Sequence, residues 1–158
     1  MGDFTKTFDG RGVPQNLEAE RSVLGALLLH SDAVADVTFL KPDDFYLPRH
    51  QVIFEAILAA FNARHATDPI VVGEELSRGG RMEEAGGHEQ LLDLMESVVT
   101  AAGIVYHAEI VREKAITRRL LETCLDIARR AYDNELDSKE LLDEAERQIF
   151  EISRLDKT

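Results

Sequence analysis

From residue 104 to its end the chain carries apolar positions at helical rather than strand spacing, with no glycine or proline among them. Alanine, leucine, glutamate, arginine and lysine dominate the stretch, so a helix is cheap in backbone terms. Its one break is the polar cluster Asp133 to Asp137. The pattern therefore predicts two helices, about 104–132 and about 138–153, joined by a short turn. A helix of about 29 residues is roughly 43 Å long, more than a small domain spans, so it must protrude or find a partner. The second helix has a clear start: Asp137 can cap it, Glu140 stands where a capping box needs an acid, and Leu136 can staple onto Leu141. Its apolar face is Leu141, Leu142, Ala145, Ile149 and Ile152. The first helix has two apolar stripes. One holds Val111, Leu121, Leu125 and Tyr132; the other holds Ile110, Leu120, Cys124, Ile127 and Ala131. One antiparallel mate covers one stripe, so the other is read as buried in its own domain or as a contact with another chain.

The earlier part of the chain reads as shorter helices. Residues 1–13 are polar and aperiodic and read as a disordered tail. Asn16 can cap a helix whose core face is Leu17, Leu24, Leu27 and Leu28, with Glu18 and Glu20 in its first turn, where the helix dipole favours acids. Gly25 interrupts it, which points to close packing against another helix. A short helix is expected from Ser31 to Val37, and a turn over Pro42 to Tyr46. Pro48 suits the first position of a helix over about 48–63, with His50 near its start in a solvated or capping role. Asp68 and Pro69 open a helix over about 69–78 that stops at Gly79 and Gly80, and another is expected over about 87–98. Only Ile70 to Val72 leans towards a strand, and it is too short for one. The predicted class is all-α: a small helical globule over 14–102, followed by a protruding antiparallel helical hairpin over 103–153, with 154–158 the start of a linker.

Composition narrows the function. At 158 residues the chain is one domain, or one domain with an appendage. No apolar run approaches the ~20 residues that span a bilayer, the N-terminus lacks the apolar core of a secretory signal, and the single cysteine, Cys124, excludes an internal disulfide. A cytoplasmic location is expected. The net charge of −12, with most of the surplus acid before residue 105, opposes long-range attraction to nucleic acid.

Motifs of catalysis are missing. There is no P-loop to hold nucleotide phosphates, and His30, His50, His65, His88 and His107 form no metal-ligand spacing. The acid pairs Asp43-Asp44, Glu74-Glu75 and Glu83-Glu84 read as solvated. Arg112 with Arg119, and Arg118 with Arg129, each share a face of the long helix. These arginines could make the chain a single-stranded nucleic-acid-binding module; the favoured reading pairs them with Glu113, Glu122 and Asp126 on the same helix.

Several segments together carry a resemblance. LEAERSVLGALLL (17–29), KPDDFYLPRHQVIFEAI (41–57), EEL (74–76), EEAGG (83–87), TAAGIVYHAEIVREKAITRRLLE (100–122) and LLDEAERQIFEIS (141–153) resemble, in order and spacing, the N-terminal domain of DnaB-type bacterial replicative DNA helicases. The resemblance implies a non-catalytic collar domain in DNA replication. Hairpins pair between neighbours, and a trimer of such dimers stabilises the hexamer. The collar docks the C-terminal helicase-binding domain of primase in the primosome, and a helicase loader is a third candidate partner. DNA is met only indirectly, in a bacterial cytoplasm near the nucleoid. No cofactor is expected in this chain, because ATP and magnesium would belong to a motor domain it lacks. Carried over by position, Glu18, Leu121 and Ile127 are candidate primase contacts. Ile110, Leu120, Cys124, Ala131, Leu141, Ala145 and Ile149 are candidate hairpin or dimer contacts. The chain departs from the family pattern at Gln90, where tyrosine is common, at Val99 and Gly103, and at Val71, which replaces a threonine cap and leaves Asp68 as the cap.

Overall fold

The computed structural model describes residues 12–98 and 100–156, so the tail expected over 1–13 falls almost wholly outside the described residues. Among the described residues there are no strands. Six α-helices follow one another within those residues: α1 Leu17–Leu29, α2 Pro48–Arg64, α3 Pro69–Arg78, α4 Gly87–Glu96, α5 Ile104–Asp133 and α6 Ser138–Asp156. Ser31–Val37 and Pro42–Asp44 are 3-10 turns between α1 and α2.

Local chemistry sets the helix ends. Asn16 accepts the Ala19 N–H at 2.9 Å, and the Asp68 carboxylate accepts from Ile70 and Val71 N–H at 3.0 and 3.2 Å. Both satisfy donors that an uncapped first turn leaves bare. Pro48 and Pro69 occupy first-turn positions, where a missing N–H costs nothing. α3 ends where Arg81 N–H returns to Leu76 O at 2.8 Å, with Gly80 at φ +68°. α4 is shorter than expected, ending at Glu96, because Ser97 folds its hydroxyl back onto Leu94 O at 2.7 Å. That bond competes with continuation of the helix. α5 ends at Asp133 and is followed by Asn134 at φ +58°, a left-handed conformation that asparagine tolerates. α6 runs to Asp156, three residues past the expected end.

The chain divides into two compact units, and the division falls inside α5. Asn16–Glu113 form the first. Here α1 packs on α2 and α4, α2 on α3, and α3 on α4. Val23, Leu24, Leu27, Ile53, Phe54, Ile57, Leu91 and Leu94 are fully buried, each large side chain contributing about 1.5–3 kcal/mol. The rings of Phe45 and Phe54 lie 4.9 Å apart. Ile104, Ala108 and Val111, one face of the first turns of α5, complete this core. Gly25 lets α1 and α4 approach: a Cβ there would lie 2.3 Å from Leu94 O.

The second unit takes the chain from Lys114 onward together with Pro14 and Gln15. Its main feature is the antiparallel pair made by the rest of α5 and α6. Arg130 joins the two helices, with Nη1 3.6 Å from Glu144 Oε1 and Nε 3.9 Å from Glu135 in the turn. Arg118, buried on α5, donates to Pro14 O at 2.9 Å.

Candidate partner-binding surfaces

Burial follows the two apolar stripes of α5 only in part. Leu121 and Leu125, and also Ile127 from the other stripe, are half-buried, whereas Leu120, Cys124 and Ala131, and Tyr132 from the first stripe, are exposed. On α6 the half-buried positions are Leu141, Glu144, Ala145, Gln148, Ile152 and Leu155, a single face at helical spacing. Leu142 (63% exposed), Ile149 (43%) and Phe150 (64%) lie outside that face. Leu142 and Ile149 are seven residues apart and so share one side of the helix. The second unit thus keeps an open apolar surface on α6. Ile110 lies apart from the other hairpin candidates and packs against the core of the first unit. Glu18 is exposed in the first turn of α1.

The arginines of α5 are engaged within the chain. Arg112 Nη1 donates to Phe39 O at 3.3 Å and approaches Asp44 Oδ2 at 3.4 Å. Arg129 holds Asp126 at 2.9 Å and Asp133 at 3.4 Å, which raises its pKa above the ordinary arginine value; the hydrogen bond to Asp126 is the main cause. The expected pairing along the helix is therefore seen for Arg129, but Arg112 reaches a different segment.

Two readings of polar residues need correction, and a third residue does more than expected. Glu20 stands in the first turn of α1 as expected, but it is 2% exposed, and its carboxylate accepts the Tyr46 N–H at 2.7 Å. His50 has neither a solvated nor a capping role; it is fully buried, with Nδ1 2.7 Å from Glu20 Oε1. Asp44 is fully buried as well, accepting the Lys41 N–H at 2.8 Å, while Asp43 is exposed. Each partner is distant in sequence or sits in a turn, so helical periodicity could not reveal it. Among the described residues no group of three or more His, Cys, Asp or Glu side chains is placed to hold a metal, and no helix is long and apolar enough to cross a membrane.

Residues 12–113 match the family described as the DnaB-like helicase N terminal domain. The chain belongs to that family. It is 41% identical over 152 residues to the replicative DNA helicase DnaC of Bacillus subtilis and 40% identical over 152 residues to the replicative DNA helicase DnaB of Geobacillus stearothermophilus, covering 96% of this chain in both cases. It spans about a third of the length of these relatives, 34% of each. Among solved structures, the crystal structure of the N-terminal domain of DnaB helicase from Mycobacterium tuberculosis superimposes with a TM-score of 0.83 at 40% identity, covering 89% of this chain and 99% of that one. A structure of a DnaB-like replicative helicase and its interactions with primase shares the fold, with a TM-score of 0.70 at 22% identity, covering 87% of this chain and 31% of that one. The chain is thus an all-α member of the DnaB-like helicase N-terminal domain family.

Proposed function

We propose that this domain is a non-catalytic collar element of a hexameric replicative helicase, holding subunits together and docking primase during DNA replication in the cytoplasm. The observation that carries the reading is the open apolar surface of α6, Leu142, Ile149 and Phe150, on a helical pair whose other face is already covered. A monomer has little reason to keep such side chains in water. A second copy presenting the same face would bury them in a two-fold contact, and dimers of this kind would build the collar as a trimer of dimers. Family membership adds the primase role. One of the structural neighbours was solved for its interactions with primase, and Glu18 is exposed while Leu121 and Ile127 are half-buried, each at a position the resemblance assigns to that contact. ATP and magnesium belong, on this reading, to the motor domain. A helicase loader is a further partner for the same assembly. Contact with DNA is indirect.

Two measurements test the proposal. Solution mass across a concentration series should rise from monomer to dimer or above, and a monomer at millimolar concentration would sink the assembly role. Titration of the primase C-terminal domain should give weaker binding with Leu121→Asp than with the unaltered chain. Equal affinity removes Leu121 from the contact, and no binding by either ends the docking role.

A further inference from the structure

A groove of about 330 Å³ opens between α3 and α4, wholly inside the first unit. Gly73 and Ser77 lie along α3, His88 and Leu92 face them from α4, and Ile70 stands at one end. Ile70 is 78% exposed and Leu92 52%, so two large aliphatic side chains border a cleft open to water. The absence of a side chain at Gly73 keeps the cleft deep, since a Cβ there would come within 2.7 Å of the His88 ring.

Acid outweighs base around this cleft. Glu74 lines it with a 70% exposed side chain, and Glu89 lies three positions before Leu92 on the same helix. α4 carries no lysine or arginine, and Arg78, the one cation of α3, is shared between Glu75 at 3.1 Å and Glu74 at 4.0 Å. An apolar cleft with an acidic rim selects an occupant with apolar anchors and basic flanks.

We propose that this groove docks a short basic amphipathic helix from a different protein, with one or two aliphatic side chains set between Ile70 and Leu92 and lysine or arginine meeting Glu74 and Glu89. A second copy of this chain is the poorer occupant at this face, because a symmetric contact here would set Glu74 and Glu89 against their own copies. The groove shares no residue with Glu18, Leu121 and Ile127, the proposed primase contacts.

The test is an NMR titration of the isotope-labelled 158-residue chain with two synthetic three-turn peptides. Both carry leucine at positions one and four residues apart in the helical repeat; one is flanked by lysine, the other by glutamate. The lysine peptide should shift the amides of Ile70, Gly73, Ser77 and Leu92 and lose affinity as salt rises. Ile70→Ser and Leu92→Ser should each weaken it by roughly tenfold without changing the unfolding midpoint, since both side chains are exposed. The proposal is overturned if the glutamate peptide binds as well, if the shifts lie elsewhere, or if none occurs at millimolar peptide in low salt. It is equally overturned if the groove amides move on dilution without peptide, which would make the groove a contact between copies.

Discussion

His50 Nδ1 lies 2.7 Å from Glu20 Oε1, and both side chains are sealed from solvent. The second oxygen of Glu20 takes the Tyr46 N–H, so one carboxylate fixes α1, the start of α2 and the loop between them. Glu20→Ala removes the acceptor of the Tyr46 N–H and the partner of the buried His50 ring and is expected to destabilise the first unit by about 3 kcal/mol. Glu20→Gln keeps the shape and should cost about half as much. Urea unfolding of the two variants, closed into a cycle with His50→Ala, measures the coupling. Additive losses would show that the pair does not act together.

Gly25→Ala is expected to cost about 2 kcal/mol although alanine favours helices. The new methyl would sit 2.3 Å from Leu94 O and 2.7 Å from Val98 Cγ2. The first neighbour is backbone, so α1 and α4 would have to move apart, an overpacking penalty of about 1–3 kcal/mol. Thermal unfolding checks it; an unchanged or raised midpoint would mean that helix propensity outweighs the clash.

These two sites mark the limit of what periodicity reveals. Gly25 was legible as a close-packing point because a glycine inside strong helix formers needs a reason. Helix starts were legible wherever a cap and a first-turn proline coincide, as at Asp68 and Pro69. Glu20 and His50 were not, because a buried polar pair 30 residues apart in sequence has no local signature. Asp44 and Arg112, separated by 68 residues, fail for the same reason. At the candidate surfaces, the two stripes of α5 could be drawn from spacing, but only burial distinguishes half-covered Leu121 from open Leu120.

Leu142→Glu with Ile149→Glu should weaken self-association by at least about tenfold while leaving stability within about 0.5 kcal/mol. Both positions are exposed within the chain, at 63% and 43%. Paired sedimentation and urea unfolding separate the two effects. Association unchanged in the double variant would place the contact elsewhere.

The start of α6 carries a pH-dependent contact. Asp137 Oδ1 accepts the Glu140 N–H at 2.8 Å, and this bond, more than any other, holds the Asp137 carboxyl below its ordinary value near 3.8. Its stabilising effect is therefore complete above that value and is lost as pH falls through the lower folded one. Glu140 moves the opposite way: the hydrogen bond with the Asp137 side chain, then its charge, raise Glu140 above its ordinary value near 4.5. That contribution is present at low pH and fades as pH rises through the raised value, so the two partly offset each other. Asp137→Asn keeps an acceptor for the Glu140 N–H and removes the charge. The Glu140 carboxyl, followed by carbon NMR, should then titrate lower than in the unaltered chain, and the helix should no longer fray at its start as pH drops below about 3.8. Asp137→Ala removes the acceptor itself and should expose the Glu140 amide to faster hydrogen exchange at every pH. A Glu140 midpoint identical in the unaltered chain and in Asp137→Asn would show that the two carboxyls do not communicate.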